Sequence, residues 1–421
     1  MSDSKLLCDI CGSKIIVQAG GQFGICENCG TKYSIERMRE IIEASNAHIV
    51  KNREDVERWK SMLAMYLKNF DFIAAENAVK KILEGDNRDR DVQNLYKYLQ
   101  VWKYIDIKHG VLIKYTGRAD TVIVPGGVKV IEREAFRGNR YLKEIALPNS
   151  LKMIDDETFS ECQSLASITI PKGVTKIGDG AFRGCVALTT VHIPPSVTRI
   201  GESAFRGCCS LKAIHLPDTI TSIGDYAFCG CSRLANLQIP VGVTHIGERT
   251  FSNCSSLKNV QIPTGVTSIG ESAFGSCSGL IDLDIPNSVV SVGNGAFRGC
   301  SSLQSVRMAN SVTDMGEYAF CGCYALKSVH ISSGISSIKS GAFASCNNLN
   351  DVYIPNSVTS IGNGAFAGTP FGRKQHDWII SLKCQWCGGS FSSVEGHCSN
   401  CGRKRDYSIN KKLQTNKKIR K

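Results

Sequence analysis

The sequence predicts an α+β repeat protein. About eleven 23-residue coils stack into a solenoid, with a cysteine-rich module and helices before it and a second cysteine-rich module after it. Three observations predict this. One phenylalanine recurs every 23 residues without insertion, at Phe136, Phe159, Phe182, Phe205, Phe228, Phe251, Phe274, Phe297, Phe320, Phe343 and Phe366. Each recurrence carries the same apolar, proline and glycine positions, as in Val191-His-Ile-Pro-Pro-Ser-Val-Thr-Arg-Ile-Gly-Glu-Ser-Ala-Phe-Arg-Gly-Cys-Cys-Ser-Leu211. Paired cysteines two residues apart stand at both ends, outside the repeat. A fixed period of this length implies units that bury a shared core only when stacked.

In each copy, Leu-x-x-Val-x-Ile-Pro supplies a strand. In the copy at 188–194, Leu188, Val191 and Ile193 point inward, and Thr189, Thr190 and His192 point outward. Proline closes the strand because it cannot donate to the ladder. Val197 and Ile200 form a second short strand. Gly201 is expected to allow a turn at positive φ, and Glu202-Ser-Ala-Phe205 reads as a helical or 3₁₀ turn with Ala204 and Phe205 facing in. Stacked at about 4.8 Å, eleven coils give a body roughly 50 Å long.

The motif Ile-Pro-x-x-Val-x-x-Ile-Gly-x-x-Ala-Phe-x-x-Cys-x-x-Leu resembles the BspA-like leucine-rich repeats. The resemblance implies a right-handed leucine-rich repeat solenoid used for protein–protein contact or adhesion, and no reaction.

Before the solenoid, Cys8-Asp-Ile-Cys11 and Cys26-Glu-Asn-Cys29 are separated by fourteen residues, and each pair is followed by glycine. Two such turns joined by a hairpin make a tetrahedral Cys₄ zinc site, so residues 1–33 read as a zinc ribbon. The strands are expected at Lys14-Ile-Ile-Val17 and Phe23-Gly-Ile25. Four cysteines leave no open coordination position, so this Zn²⁺ is structural.

Residues 34–104 are helical in pattern. Ser34 is an N-cap candidate. Val56, Trp59, Leu63 and Tyr66 share one face. Ile73, Ala74, Ala78, Val79 and Ile82 form the facing stripe, and Val92, Leu95, Tyr98 and Leu99 a third. Trp59, Tyr66 and Ala75 match the spacing of a tetratricopeptide-like helical hairpin. The solenoid with its caps spans 105–382, and Trp378-Ile-Ile-Ser-Leu382 is the expected closing strand.

A second ribbon covers 383–405, with Cys384-Gln-Trp-Cys387 and Cys398-Ser-Asn-Cys401 ten residues apart. A basic tail, 406–421, ends the chain. The net charge of +12 is concentrated there: residues 402–421 hold nine Lys or Arg against one Asp, while 121–370 are nearly neutral.

Twelve of the twenty cysteines lie in the solenoid. Nine stand 23 apart, from Cys162 to Cys346, and read as a small, soft core layer. Cys209, Cys229 and Cys321 are off that register and are expected nearer the surface. With no secretory signal at the N-terminus, this cysteine usage suggests a reducing, cytoplasmic setting. No apolar run is long enough for a membrane span.

The residue before each strand's last apolar position forms an outward column: Thr169, His192, His215, Gln238, Gln261, Asp284, Arg307, His330 and Tyr353. From His192 onward these residues are the candidate partner-binding face. The column contains no nucleophile–base–orienter set, so no enzyme is expected. The sequence therefore reads as a non-enzymatic protein-interaction scaffold with two structural zinc ribbons and an unidentified protein partner. The alternatives are a nucleic-acid-associated protein held by the C-terminal ribbon and basic tail, or a cell-surface adhesin.

Overall fold

The computed structural model describes residues 15–17, 23–27, 31–85, 87–374, 391–392 and 397–398. They fall into two compact units, one ending at Lys103 and one starting at Tyr104.

In the first unit, Ile15–Val17 pairs antiparallel with Phe23–Cys26, Ile15 opposite Cys26. Phe23–Cys26 pairs in turn with Lys32–Ser34. Ser34 caps helix α1 (Ile35–Lys68), its side chain accepting from the Arg37 amide. Helix α2 (Phe72–Gly85) begins where Asp71 Oδ1 accepts from the Ala74 amide, 3.0 Å away. This start sets the buried stripe at Phe72, Ala75, Ala78, Val79 and Ile82. The expected stripe is corrected at its first two members: Ile73 is 71% exposed and Ala74 half-buried, because the helical 3–4 spacing runs from Phe72 to Ala75. Helix α3 (Arg90–Trp102) buries Val92 and Leu99, whereas Tyr98 is exposed and stacks on Trp102.

The second unit is the solenoid. It opens with an antiparallel hairpin, Ile105–Lys108 with Val111–Tyr115, turned at His109 and Gly110, both at positive φ. Val111–Tyr115 then pairs parallel with Val130–Ile131, which starts the winding.

Each coil has three sides. On the first, strands pair parallel and in register with the copy 23 residues away, as Thr169 with His192. Leu188, Val191 and Ile193 are buried, and Thr189, Thr190 and His192 are exposed, as expected. On the second side Arg199–Ile200 pairs with Lys176–Ile177 before it and Ser222–Ile223 after it. The third side is a run of turns. Arg206 and Cys208 amides donate back three residues within the coil, to Ser203 and Phe205. The alternate amides, Ser203, Phe205 and Gly207, donate at 2.8 Å to carbonyls of the next coil. The turns thus carry an inter-coil ladder of their own, and the backbone stays hydrogen-bonded on all three sides.

Positive φ recurs on this side at two positions per coil, Ser203 and Gly207 in the clean copy. It does not occur at Gly201, which corrects the expected reason for that glycine. A Cβ on Gly201 would lie 2.6 Å from the Gly178 carbonyl carbon and 2.7 Å from the Asp179 nitrogen. Gly201 is required by the close approach of the preceding coil.

The core is filled by the eleven phenylalanines, stacked with ring centroids 5.2 to 5.7 Å apart. Tyr115 begins the stack, 5.4 Å from Phe136. Phe371, on helix α4 (Pro370–Lys374), ends it edge-on, 5.1 Å from Phe366. The expected closing strand at 378–382 lies outside the described residues.

Candidate interaction face

Every inward position of the coil is occupied by packing. The first-side strands expose the side chains that remain. His192, His215, Gln238, Gln261, Asp284, Arg307, His330 and Tyr353 are all exposed, as an outward strand position requires. The first-side ladder runs in three stretches. Thr121–Ile123 to Thr190–His192 form one. Asn236–Gln238 with Asn259–Gln261 form the second, joined to the preceding copy by one bridge from Ala213 to Asn236. Asp282–Ile285 to Asp351–Tyr353 form the third.

The third stretch brings the most chemistry together. Asp284 stands opposite Arg307, with 3.7 Å between carboxylate and guanidinium. Asp282 accepts from Ser305 Oγ at 2.6 Å. His330 and Tyr353 stack at 4.7 Å. Asn259, Asp282, Asp284, Ser305, Arg307 and His330 border an open depression of about 700 Å³.

A second depression, about 530 Å³, borders Asp284 and Arg307 on their other side. Its wall includes Ala309, which stands where other copies place proline. Alanine keeps its amide, which donates to Ile285 at 3.2 Å, and the strands Asp282–Ile285 and Ser305–Met308 are four residues long. The alanine amide therefore adds a bond to the ladder that proline could not make.

On the turn side, Tyr226 lies between two guanidinium groups, Arg206 at 5.4 Å and Arg249 at 5.6 Å from its ring centroid. Its hydroxyl donates to Glu248 and accepts from Arg249 Nη1. The glutamate hydrogen bond, followed by burial, raises the phenol pKa. The sequence signal is an aromatic residue in a column that holds Gly, Ser, Glu or Arg in every other copy except that of Tyr318.

The nine ladder cysteines are free and buried, and Cys209, Cys229 and Cys321 are half-buried. Among the described residues no group of three or more His, Cys, Asp or Glu is placed to hold a metal ion. Of the eight candidate zinc ligands, Cys8, Cys11, Cys29, Cys384, Cys387 and Cys401 lie outside the described residues. Cys26 and Cys398 are placed only as members of the strands Phe23–Cys26 and His397–Cys398.

The repeat geometry has a match among known families. The BspA type leucine rich repeat region matches residues 113–210, 200–289 and 273–373, with six copies recognised. The chain belongs to the BspA-type leucine-rich repeat family.

Several solved structures are similar to it. A leucine-rich repeat protein from Bacteroides ovatus is 31% identical, over 60% of this chain and 76% of that one, with a TM-score of 0.44. A leucine rich cell surface protein from Faecalibacterium prausnitzii is 27% identical, over 65% and 95%, with a TM-score of 0.41. The pneumococcal vaccine antigen PcpA is 20% identical, over 59% and 68%, with a TM-score of 0.39. No curated protein matches the chain. Among the described residues of this BspA-type chain, no helix is long and apolar enough to cross a membrane.

Proposed function

We propose that this protein is a non-enzymatic, cytoplasmic scaffold that binds a partner protein on the outward strand face of its solenoid. The observation that carries the proposal is the division of labour within the coil. Phe, Cys, Leu, Val and Ile positions repeat because each packs on its equivalent, and they are buried. The strand positions around 190 and 192 and their equivalents change from coil to coil, are exposed, and serve no packing need. Exposed residues freed from packing are where recognition is written in a rigid repeat array.

Within that face the segment from Asp282 to Tyr353 is the proposed centre of contact. Arg and Tyr are residue types that dominate binding energy at interfaces; Arg307 lines the larger depression, and Tyr353, two coils on, stacks on its lining residue His330.

Structural zinc ribbons at both ends are part of the same proposal. Two hairpins support it. Ile15–Val17 with Phe23–Cys26, and Phe391–Ser392 with His397–Cys398, each fold the chain between one cysteine pair and the next. That is the arrangement by which two CxxC turns meet around one ion.

The test is affinity capture from lysate with the full chain and with an Asp284→Lys, Arg307→Glu, Tyr353→Ala variant. The same captured protein should be retained by the first and lost by the second, while circular dichroism and the melting temperature stay unchanged. Equal retention by both would refute the strand face as the contact.

A further inference from the structure

At one junction, between the Phe228 coil and the Phe251 coil, strand pairing is interrupted on two of the three sides. On the second side, one ladder runs from Met153–Ile154 to Ser222–Ile223 and the next from His245–Ile246 to Asp314–Met315, and the two are not joined. On the first side, the ladder that ends at Thr190–His192 stops before the Phe228 coil, whose residues 212–216 form no strand. That segment meets the Phe251 coil by the single bridge Ala213–Asn236 and one bond, from the Ala235 amide to Lys212 at 3.1 Å. Elsewhere among the described residues, each open strand pair on one of these sides is matched by a paired one on the other. Where the first side opens between Gln261 and Asp282, Ser268 pairs with Ser291 on the second. Where the second side opens between Met315 and Ser337, Ser305 pairs with Ser328 on the first.

The turn side runs through the same junction unbroken. The Tyr226, Phe228 and Gly230 amides donate to Glu248, Thr250 and Ser252 at 2.8 to 2.9 Å. The phenylalanine stack is widest here, 5.7 Å between Phe228 and Phe251. One side chain ties three coils together at this point. The Tyr226 ring lies between Arg206 of the preceding coil and Arg249 of the next, and its hydroxyl bonds to Glu248 and Arg249 of the next. Tyr318, in the same column, lies instead against Gly341.

Two bodies joined along one edge rotate about that edge. Opening the first and second sides here breaks one backbone bond and one bridge, while the turn-side ladder is kept. The phenylalanines belong to the turn side, so their rings lie near the axis and separate least. A few residues at the junction absorb the change, as in other hinges. The ring held between two guanidinium groups resists it, because tilting one coil on the next draws a cation off the ring face.

We infer that the solenoid hinges between the Phe228 and Phe251 coils about its continuous turn side, and that Tyr226 is the pin that holds the hinge angle. The hinge divides the outward strand column. Thr169 and His192 belong to one body, and the residues from Gln238 onward to the other. A ligand that spans both bodies therefore fixes the angle. The hinge itself does not depend on the strand face being the partner contact.

Pulsed electron–electron double resonance on the full chain tests it, with spin labels on genetically encoded keto side chains so that the native thiols stay unlabelled. Labels at Lys152 and Thr267 bracket the hinge. Labels at Thr244 and Thr359 are the control. All four positions are exposed, and each pair is separated by five 23-residue coils, about 24 Å. The control pair crosses the one-sided break between Met315 and Ser337, so it distinguishes a two-sided break from a one-sided one. The bracketing pair should give a distance distribution at least twice as wide as the control. Tyr226→Phe, which keeps the ring and removes the hydroxyl bonds, should widen it further, and Tyr226→Ala should widen it most. Tyr318→Ala should leave the control width unchanged.

Equal widths for the two pairs in the unmodified chain would overturn the hinge, whatever the fate of the alanine variant. A wide bracketing distribution that Tyr226→Phe and Tyr226→Ala both leave unchanged would overturn the pin. Widening of the control pair by Tyr318→Ala to the same degree would also overturn it, since any tyrosine of that column would then act alike.

Discussion

The thiol of Cys208 donates to the carbonyl of Phe182, 3.1 Å away in the preceding coil. The same bond, 26 residues back, is made by all nine ladder cysteines at 3.1 to 3.3 Å. Phe182 also accepts the Cys185 amide from its own coil, so one carbonyl receives two donors. A small side chain with a weak donor fits this apolar layer. At the ends of the column stand Asn139 and Thr369, which also donate, to Gly117 and Phe366. Donor capacity is kept even where the cysteine is not.

The ladder thiols predict loss of stability at alkaline pH. Burial pushes Cys162 and Cys277 up to about 12, and pushes Cys185, Cys208, Cys231, Cys254 and Cys300 well above their ordinary value. Cys323 is raised first by its hydrogen bond with Cys346 and then by burial. The folded state therefore holds protons that the unfolded chain releases near pH 9. Their stabilisation is complete below that pH and is lost as pH rises toward 12. The melting temperature should fall steeply between pH 9 and 11, and Cys277→Ala should reduce that slope by about one proton. A flat profile would show that the thiols ionise as freely in the coil as in the unfolded chain.

Phe228→Ala should cost about 3–5 kcal/mol. The ring is fully buried, with Phe205 at 5.3 Å and Phe251 at 5.7 Å. Removing it leaves a gap bounded by two flat rings that cannot close without shortening the backbone ladder. Because coils interact chiefly with their neighbours, amide exchange should accelerate most around residues 205–251. Unchanged exchange there would contradict an inward ring.

The two kinds of glycine in the turns should respond differently. Gly201→Ala drives a Cβ into the backbone of the preceding coil, and overpacking of this kind costs about 1–3 kcal/mol with distortion of both coils. At Gly207, φ is +75° and the nearest atoms are 3.8 Å away, so Gly207→Asn should cost less than about 1 kcal/mol. Asn253 already occupies the equivalent place at φ +61°. Urea denaturation of both variants decides the order, and equal costs would refute the close-approach account.

The sequence showed the solenoid plainly because every coil repeats the same inward letters, and a period of 23 is visible without any knowledge of geometry. It showed less about Gly201, since a glycine required by a neighbouring coil and one required by φ look alike in a linear text. The exposure of Ile73 was not legible, because Phe72 and Ile73 are both apolar and only the helical spacing back from Ala75, Val79 and Ile82 decides which of them is buried. Tyr115 and Phe371, which close the phenylalanine stack, break the period at 21 and 5 residues from their neighbours and so carried no signal. The pairing of Asp284 with Arg307 was legible, because residues 23 apart in adjacent strands must face each other. The hollow beside them was not, because its wall is assembled from three coils, with Thr264, Pro286 and Ala309 among its residues.

Zinc should measure near two per chain in freshly purified, reduced protein. Cys8→Ser or Cys384→Ser should each lower that to about one, since loss of a thiolate from a Cys₄ set weakens binding strongly. Chelation should leave the main thermal transition of the solenoid within about a degree. The stack is closed by Tyr115 before Phe136 and Phe371 after Phe366, and neither closure uses a cysteine of the paired sets. The first strand hairpin, by contrast, ends on a cysteine of a paired set, Cys26. Metal removal should therefore unfold the ribbons first, as increased proteolysis before residue 34 and after residue 383, with the coils intact. If the solenoid transition falls together with the zinc, Tyr115 and Phe371 do not suffice to close the stack.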